Sequence, residues 1–440
     1  MHEQDRALSL AEAVLAAAKD ADQAQVSVSI TDAAYARFAR NYVTQNLESQ
    51  QTSISLTYYI GKKAGTVRSA DASRDGIARL VADARKIAER VPPDNSFVSL
   101  PKPEQLPAGV PSFFATTADA SPTDRVEKLL PVFARMKRSN LVCSGFTTTQ
   151  TQTVAIANSL GIRVAYTGTN GGIQVKAIAG STSGYAQSYA LDYATIDTVP
   201  VAEIAASKAT VSREPAELEP GRYTVILEPS AFQSAVKALL EGVDAQNVLD
   251  DKDSWMIDRI GKTVMSPNFT LRSDWSDPRI ANPPFDPNNG SAVKRFTFID
   301  KGVPIAYSAS TYLANKFKVP ATGVSDSMVI DPGTKSREEL IASVDRGVLV
   351  SRTWYERVVD PRKAAITGLT RDGVYLIENG KLTKSLKNFR YFVSMVEVMK
   401  DVEFSDRSTL AEPESDLGYQ CVLPDAKIAN FNLAAQTSFA

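Results

Sequence analysis

Between Arg222 and Gly242 the chain passes from a strand straight into a helix, and that junction constrains everything packed around it. Arg222 to Leu227 reads as a strand that Pro229 breaks. Ser230 with Gln233 three residues later has the S-x-x-Q form of a capping box, so a helix is expected to start there. Phe232, Ala235, Val236, Leu239 and Leu240 recur at helical spacing as a stripe facing a core, with Gln233, Ser234, Lys237 and Glu241 on the other side and Gly242 as the stop.

Such a helix is where a zinc peptidase would place His-Glu and a second His one turn on, because two imidazoles must converge on one metal beside a carboxylate base. This chain has one histidine, His2, so neither that arrangement nor a Ser-His or Cys-His pair can be assembled. Ser234 to Lys237 and Ser291 to Lys294 match S-x-x-K, but no accompanying S-D-N and K-T-G set follows, and chance matches are expected in a chain rich in Ser and Lys. Gly261-Lys262-Thr263 resembles the end of a phosphate loop, yet Met256 stands where glycine is needed. Gly168 to Gly172 lacks the strand-to-helix setting of a dinucleotide site and reads as a hairpin turn.

At 440 residues the chain exceeds what one core usually fills, so two or three domains are expected. Lys plus Arg number 49 against 50 Asp plus Glu, a net charge of -1 that gives no basic footprint for nucleic acid or an anionic membrane. No apolar run has spanning length and no signal segment opens the chain, which reads as cytoplasmic. Cys143 and Cys421 are too far apart in sequence to suggest a disulfide framework, and Cys143 reads as a buried thiol.

The first unit, residues 1–98, combines an Ala-rich helix, strands at Val26–Ile30 and Ile54–Ile60, and a helix capped by Ser73 that ends at Pro92-Pro93. Residues 99–124 are proline-rich and unperiodic, an extended linker wrapping a surface. Residues 125–218 hold a helix near Val126–Met136, shortened or kinked by Pro131, an antiparallel meander over 151–179, and a helical stretch over 200–213. Residues 219–440 are mostly β and rich in turns. They include a long proline-bearing loop over 276–291, hairpins at Asp300-Lys301-Gly302 and Asn379-Gly380, and a short helix capped by Ser336 and Glu339. The fold class expected is α+β: N-terminal α/β units with antiparallel sheets, followed by a β-rich, barrel-like C-terminal domain.

Several segments in order resemble the TldD/PmbA family: Arg37 to Asn41, Gly61 to Thr66, Ala84 to Ala88 before Pro92-Pro93-Asp94, Asn158 to Gly161, Glu228-Pro229-Ser230, Pro332-Gly333, Glu338 to Ile341, Arg346 to Val350, Thr367-Gly368 and Ile377 to Lys381. The resemblance implies a relative of a cytoplasmic metalloprotease that matures or degrades peptides. Its catalytic branch carries His-Glu-x-x-x-His on the helix after the Glu-Pro strand end and a cysteine ligand near the C-terminus. Here Leu240, Glu241 and Ala245 fall nearest those three positions, and Cys421 lacks the glycine-rich segment that surrounds the family's ligand. Both departures resemble the PmbA, or TldE, branch, which implies a subunit that binds no metal itself and pairs with a TldD-like zinc-bearing subunit, or with itself, around unfolded peptide.

No catalytic or metal-ligating residue is therefore assigned. Glu241 and Asp244, on the polar side of the helix and just beyond it, are the candidate cleft-lining residues. Two other readings stay open: a stand-alone divalent-metal hydrolase using Glu241 with Asp244, Asp250, Asp251, Asp253 and Asp258, and a homodimeric peptide-binding protein without chemistry.

Overall fold

The structure, a computed structural model, describes residues 3–212, 214–411 and 420–437. His2 therefore lies outside the described residues. The first half is one antiparallel sheet of β1 (Gln23–Ala39), β2 (Tyr42–Ile60), β3 (Lys63–Ser69), β4 (Val142–Asn158), β5 (Arg163–Ala179) and β6 (Thr182–Ala190), in the order β3-β2-β1-β4-β5-β6. Helices α1 (Glu3–Ala17) and α2 (Arg74–Arg90) cover the β1–β3 side, where Ala7, Ala11, Leu80 and Ala84 pack on Val26, Val28, Ile54 and Leu56. Short helices α3 (Ala115–Ala118) and α4 (Pro122–Glu127) lead into α5 (Leu130–Arg138), which with α6 (Thr198–Ala209) shares a second core with Phe38, Ile173 and Val175.

The expected cap on α2 is present, with the Ser73 side chain accepting from Gly76 N. The expected turn at Gly168–Gly172 is not. These residues continue β5, because the rings of Tyr193 and Tyr189 lie where side chains on Gly171 and Gly172 would stand. The proline-rich segment has no helix or strand from 101 through Phe114, before α3 and α4, and is tied to the sheet: Asn158 Nδ2 donates to Pro101 O and Thr169 N to Ser112 O.

The second half contains β7 (Gly221–Leu227), α7 (Pro229–Leu240), β8 (Leu271–Ser273), β9 (Phe296–Asp300), β10 (Val303–Pro304), α8 (Thr311–Phe317) and β11 (Ser327–Ile330). It continues with α9 (Arg337–Ala342), β12 (Arg346–Asp360), β13 (Ala365–Glu378), β14 (Lys381–Ser385), β15 (Phe389–Ser394), α10 (Met395–Val398), β16 (Val402–Ala411) and β17 (Gln420–Gln436). Its strands form an 11-stranded sheet in which β7, β12, β13, β15 and β17 close into a ring through the β17–β7 pairing. The barrel-like expectation is met by that ring. Both expected hairpins form, with Lys301-Gly302 and Asn379-Gly380 all at positive φ as a type I′ turn requires.

α7 packs on β7, β12, β13, β16 and β17, and Phe232, Val236 and Leu239 join one large core with Val350, Ile366 and Ala426. Its far end is held by Trp255, fully buried, whose Nε1 donates to Leu239 O at 2.8 Å. The 276–291 loop docks the ring onto the first sheet: Phe285 packs with Ile156 and Ile162, and Gln25 donates to Asn288 O. Among the described residues no helix is long and apolar enough to cross a membrane.

Candidate functional site

Helix α7 starts earlier than its sequence suggests. Glu228 is the N-cap and Pro229 the first helical residue, where a proline lacks only an N–H that would go unbonded anyway. The expected Ser230–Gln233 capping box does not form, and Gln233 is buried with neither side-chain atom partnered among the described residues. Because the Glu228 side chain caps nothing, it is free to turn away from the helix. It meets Lys208 Nζ at 2.5 Å and Arg337 at 3.1 Å.

Arg337 continues to Asp425 at 2.8 Å, and Asp425 also accepts from Ser405 at 3.1 Å. Lys208 donates further to Ser351 Oγ and to Tyr185 O. Two cations thus face two carboxylates, drawn from α6, the β7–α7 junction, α9 and β17. Burial opposes ionisation of Glu228, but Lys208 and Arg337 outweigh it and hold its carboxyl below the usual range. For Asp425 burial wins over Arg337, and its pKa is raised. Burial likewise lowers that of Lys208 against the pull of Glu228. Removing one member of such a buried pair typically costs about 3–5 kcal/mol, so the cluster locks the first half of the molecule to the second. Its members line a cavity of about 490 Å³ together with Tyr189, Ser230 and Arg407.

The two residues expected to line a cleft separate. Glu241 is the exposed C-cap of α7, whereas Asp244 lines a different cavity of about 430 Å³ together with Glu104, Asp286, Lys294 and Asp326. Asp244 spends its carboxylate on Asn247, accepting from the backbone N at 3.0 Å and from Nδ2 at 2.8 Å. Glu104 accepts from Ala292 N, and Asp286 closes its own turn at Asn288. Asp326 keeps an open side toward solvent, yet burial by the cavity walls, together with nearby Asp286, pushes its carboxyl up to about 6. Asp250 pairs with Lys316 and Asp251 with Gln246. Among the described residues no three His, Cys, Asp or Glu side chains are grouped to hold a metal ion. Sequence reading missed Lys208, Arg337, Asp425 and Asp326. They lie far apart along the chain, and no local spacing announces them.

A family model described as the PmbA/TldA metallopeptidase C-terminal domain matches residues 220–435, and one described as the central domain of the same metallopeptidases matches 116–213. The chain belongs to the PmbA/TldD family. Its fold is similar to the crystal structure of TldE from Thermococcus kodakarensis, at TM-score 0.87 and 20% identity over 97% of this chain and 100% of that one. A protein described as a modulator of a DNA gyrase from Thermotoga maritima is similar at TM-score 0.83 and 16% identity, over 96% of this chain and 99% of that one. Another so described, from Bacteroides thetaiotaomicron, is similar at 0.82 and 18%, over 99% of each chain. No curated protein matches the chain.

The metallopeptidase description raises the question of a metal in this member of the PmbA/TldD family. The polar side chains of α7 are Ser230, Gln233, Ser234 and Lys237, none of them an imidazole or thiolate. Ser234 is engaged with Thr353 at 3.1 Å. Cys421 is sealed in the core, and burial pushes its thiol up to about 12, far from the thiolate that zinc takes. With Glu241 at the surface and Asp244 tied to Asn247, the described residues around α7 do not fit a zinc site.

Proposed function

We propose that this chain is a TldE-like subunit that holds no metal of its own and pairs with a TldD-type, zinc-bearing subunit to make a peptidase acting on unfolded peptides. One observation carries the reading: the helix after the Glu-Pro strand end, the metal helix of catalytic relatives, is here a packed structural helix with no imidazole. The fold shared with a TldE supports the same branch. Two free, buried cysteines suit the reducing cytoplasm.

The deciding experiment uses the purified full chain, metal analysis and a peptidase assay on an unfolded peptide, with and without a His-Glu-x-x-x-His relative from the same genome. The expected result is no stoichiometric zinc, no cleavage by the chain alone, and cleavage on mixing that exceeds that of the relative alone. Stoichiometric metal together with unaided cleavage would overturn the proposal.

A further inference from the structure

The outer edge of the first sheet is left without a partner along the first part of β2. β3 pairs with β2 only from Ile54 to Ile60, and among the described residues no strand lies beyond β2 between Tyr42 and Ser53. The direction of the free groups follows from register, because in an antiparallel ladder a residue turns its N–H and its C=O toward the same neighbour. Ala24 O accepts from Ser159 N, one step beyond the Gln25↔Asn158 pair, so even-numbered residues of β1 face β4 and odd-numbered ones face β2. Odd pairs with odd between β1 and β2, as in Ala33↔Ser49 and Thr31↔Gln51, which leaves Asn46, Glu48, Gln50 and Thr52 presenting N–H and C=O outward.

Natural sheets guard such an edge with lysine, proline, a bulge or a covering element. From Gln45 to Ser53 there is neither lysine nor proline, the register with β1 is unbroken, and the one β1–β2 bulge lies at the hairpin end, at Arg37/Phe38. Every residue from Gln45 to Gln51 is exposed. The single charged one, Glu48, accepts from Nη2 of the buried Arg125 at 2.6 Å, and Arg125 also reaches Thr149 on β4, so this carboxylate lies over the sheet face instead of guarding the edge. Glu48, Ser49 and Gln50 also border a cavity of about 640 Å³ shared with Asp32, Arg125 and Thr149, space into which side chains of an added strand can lean.

We propose that this edge of β2 takes an extended stretch of unfolded peptide as a seventh strand, held by its main chain. That the peptide is the substrate rests on the function proposed above, while the mode of binding follows from the edge itself. A row of outward N–H and C=O groups is matched only by another extended backbone. The uncharged side chains beside it, Asn46, Leu47, Ser49, Gln50 and Gln51, select no particular partner side chain, which suits peptides of varied sequence. A folded partner is a poor match in size: the outward ladder from Asn46 to Thr52 runs roughly 20 Å and is one strand wide, far short of the ~1,200 Å² that stable protein interfaces bury.

The test uses the full chain and a fluorescent, end-blocked peptide of about nine Thr, Val and Ser residues, alongside the same peptide N-methylated at two successive residues so that both of its edges are blocked. Anisotropy follows binding to the native protein and to Gln50→Pro, which removes an outward donor but no bond to β1, and melting curves check that the variant stays folded. The methylated peptide, and Gln50→Pro with the plain one, are each expected to bind at least about 10-fold more weakly. In the native protein, where no variant's folding enters, hydrogen exchange read residue by residue should slow at Asn46, Glu48, Gln50 and Thr52 on adding peptide, with Leu47, Ser49 and Gln51 unchanged. Mixed with the His-Glu-x-x-x-His relative, Gln50→Pro should raise KM about 10-fold at the native kcat. Equal binding of the two peptides, no added protection at the four outward amides, or an unchanged KM would overturn this inference and leave the proposed function standing. Peptide bound at the edge with no cleavage on mixing would overturn the proposed function alone. Protection of these amides by self-association without peptide would overturn the inference by naming a second copy as the occupant.

Discussion

Asp326 shows how far a single carboxyl can be displaced by its surroundings. The cavity walls and the neighbouring charge of Asp286 push it up to about 6, so the folded state holds its proton at pH values where the unfolded chain has released it. The stabilisation that follows is complete below the unfolded value, near 3.8, and is lost as pH rises through about 6. Asp326→Asn, which keeps the shape and removes the charge, is therefore expected to melt close to the native protein at pH 4 and above it at pH 7.5, with the gap opening between those values. Melting curves across that range check it, and a constant gap would show that Asp286 and the walls do not act as described. The same scale explains what sequence could not supply. Glu241 and Asp244 were visible because they flank a recognisable helix, but the charges that matter to the structure, Glu228 with Lys208, Arg337 and Asp425, meet only after distant elements have packed.

Elements were legible at several places where the instruction is local, although the equally local Ser230–Gln233 box does not form. The Ser73 cap, the Ser336–Glu339 capping box and the Asn379-Gly380 turn are written within four residues, and each forms as read. Glycines inside strands are harder, since their meaning depends on what lies across from them. Gly171 and Gly172 look like turn residues in sequence but make room for tyrosine rings. Gly184 in β6 does the same for a helix: an added Cβ would stand 2.2 Å from Ala205 O and 2.5 Å from Ala209 N on α6, both backbone atoms that cannot swing aside. Gly184→Ala should accordingly lower stability by about 1–3 kcal/mol through overpacking. Gly109→Ala, where a Cβ meets nothing within 4 Å, should be neutral or gain up to about 1 kcal/mol. Denaturant midpoints at an unchanged slope separate the two, and an unaffected Gly184→Ala would mean that α6 rides farther from the sheet than the structure places it.

At the scale of the molecule, the sheet crosses the proline-rich segment instead of stopping at it. β1, from the first 98 residues, pairs with β4 from Gln25↔Asn158 to Ala39↔Ser144, nearly the whole length of both strands. Local periodicity could suggest each strand but not that partnership, because the pairing spans more than a hundred residues of intervening chain. A fragment of residues 1–98 would expose that entire edge of β1 and lose Ala155 and Ala157 of β4 from the core beneath α1 and α2. Unpaired, long and apolar edges template association with other chains. A fragment of residues 1–213 keeps all six strands with α1, α2, α5 and α6 on their own cores, and gives up only the contacts with the ring, including the Lys208–Glu228 pair that water can replace once Lys208 is exposed. Expressed separately, the shorter fragment should aggregate or lack cooperative melting, whereas the longer should be soluble and melt in one transition by circular dichroism. A monomeric, cooperatively folded 1–98 would show that α1, α2 and three strands suffice, and that β4 adds to a finished sheet instead of completing it.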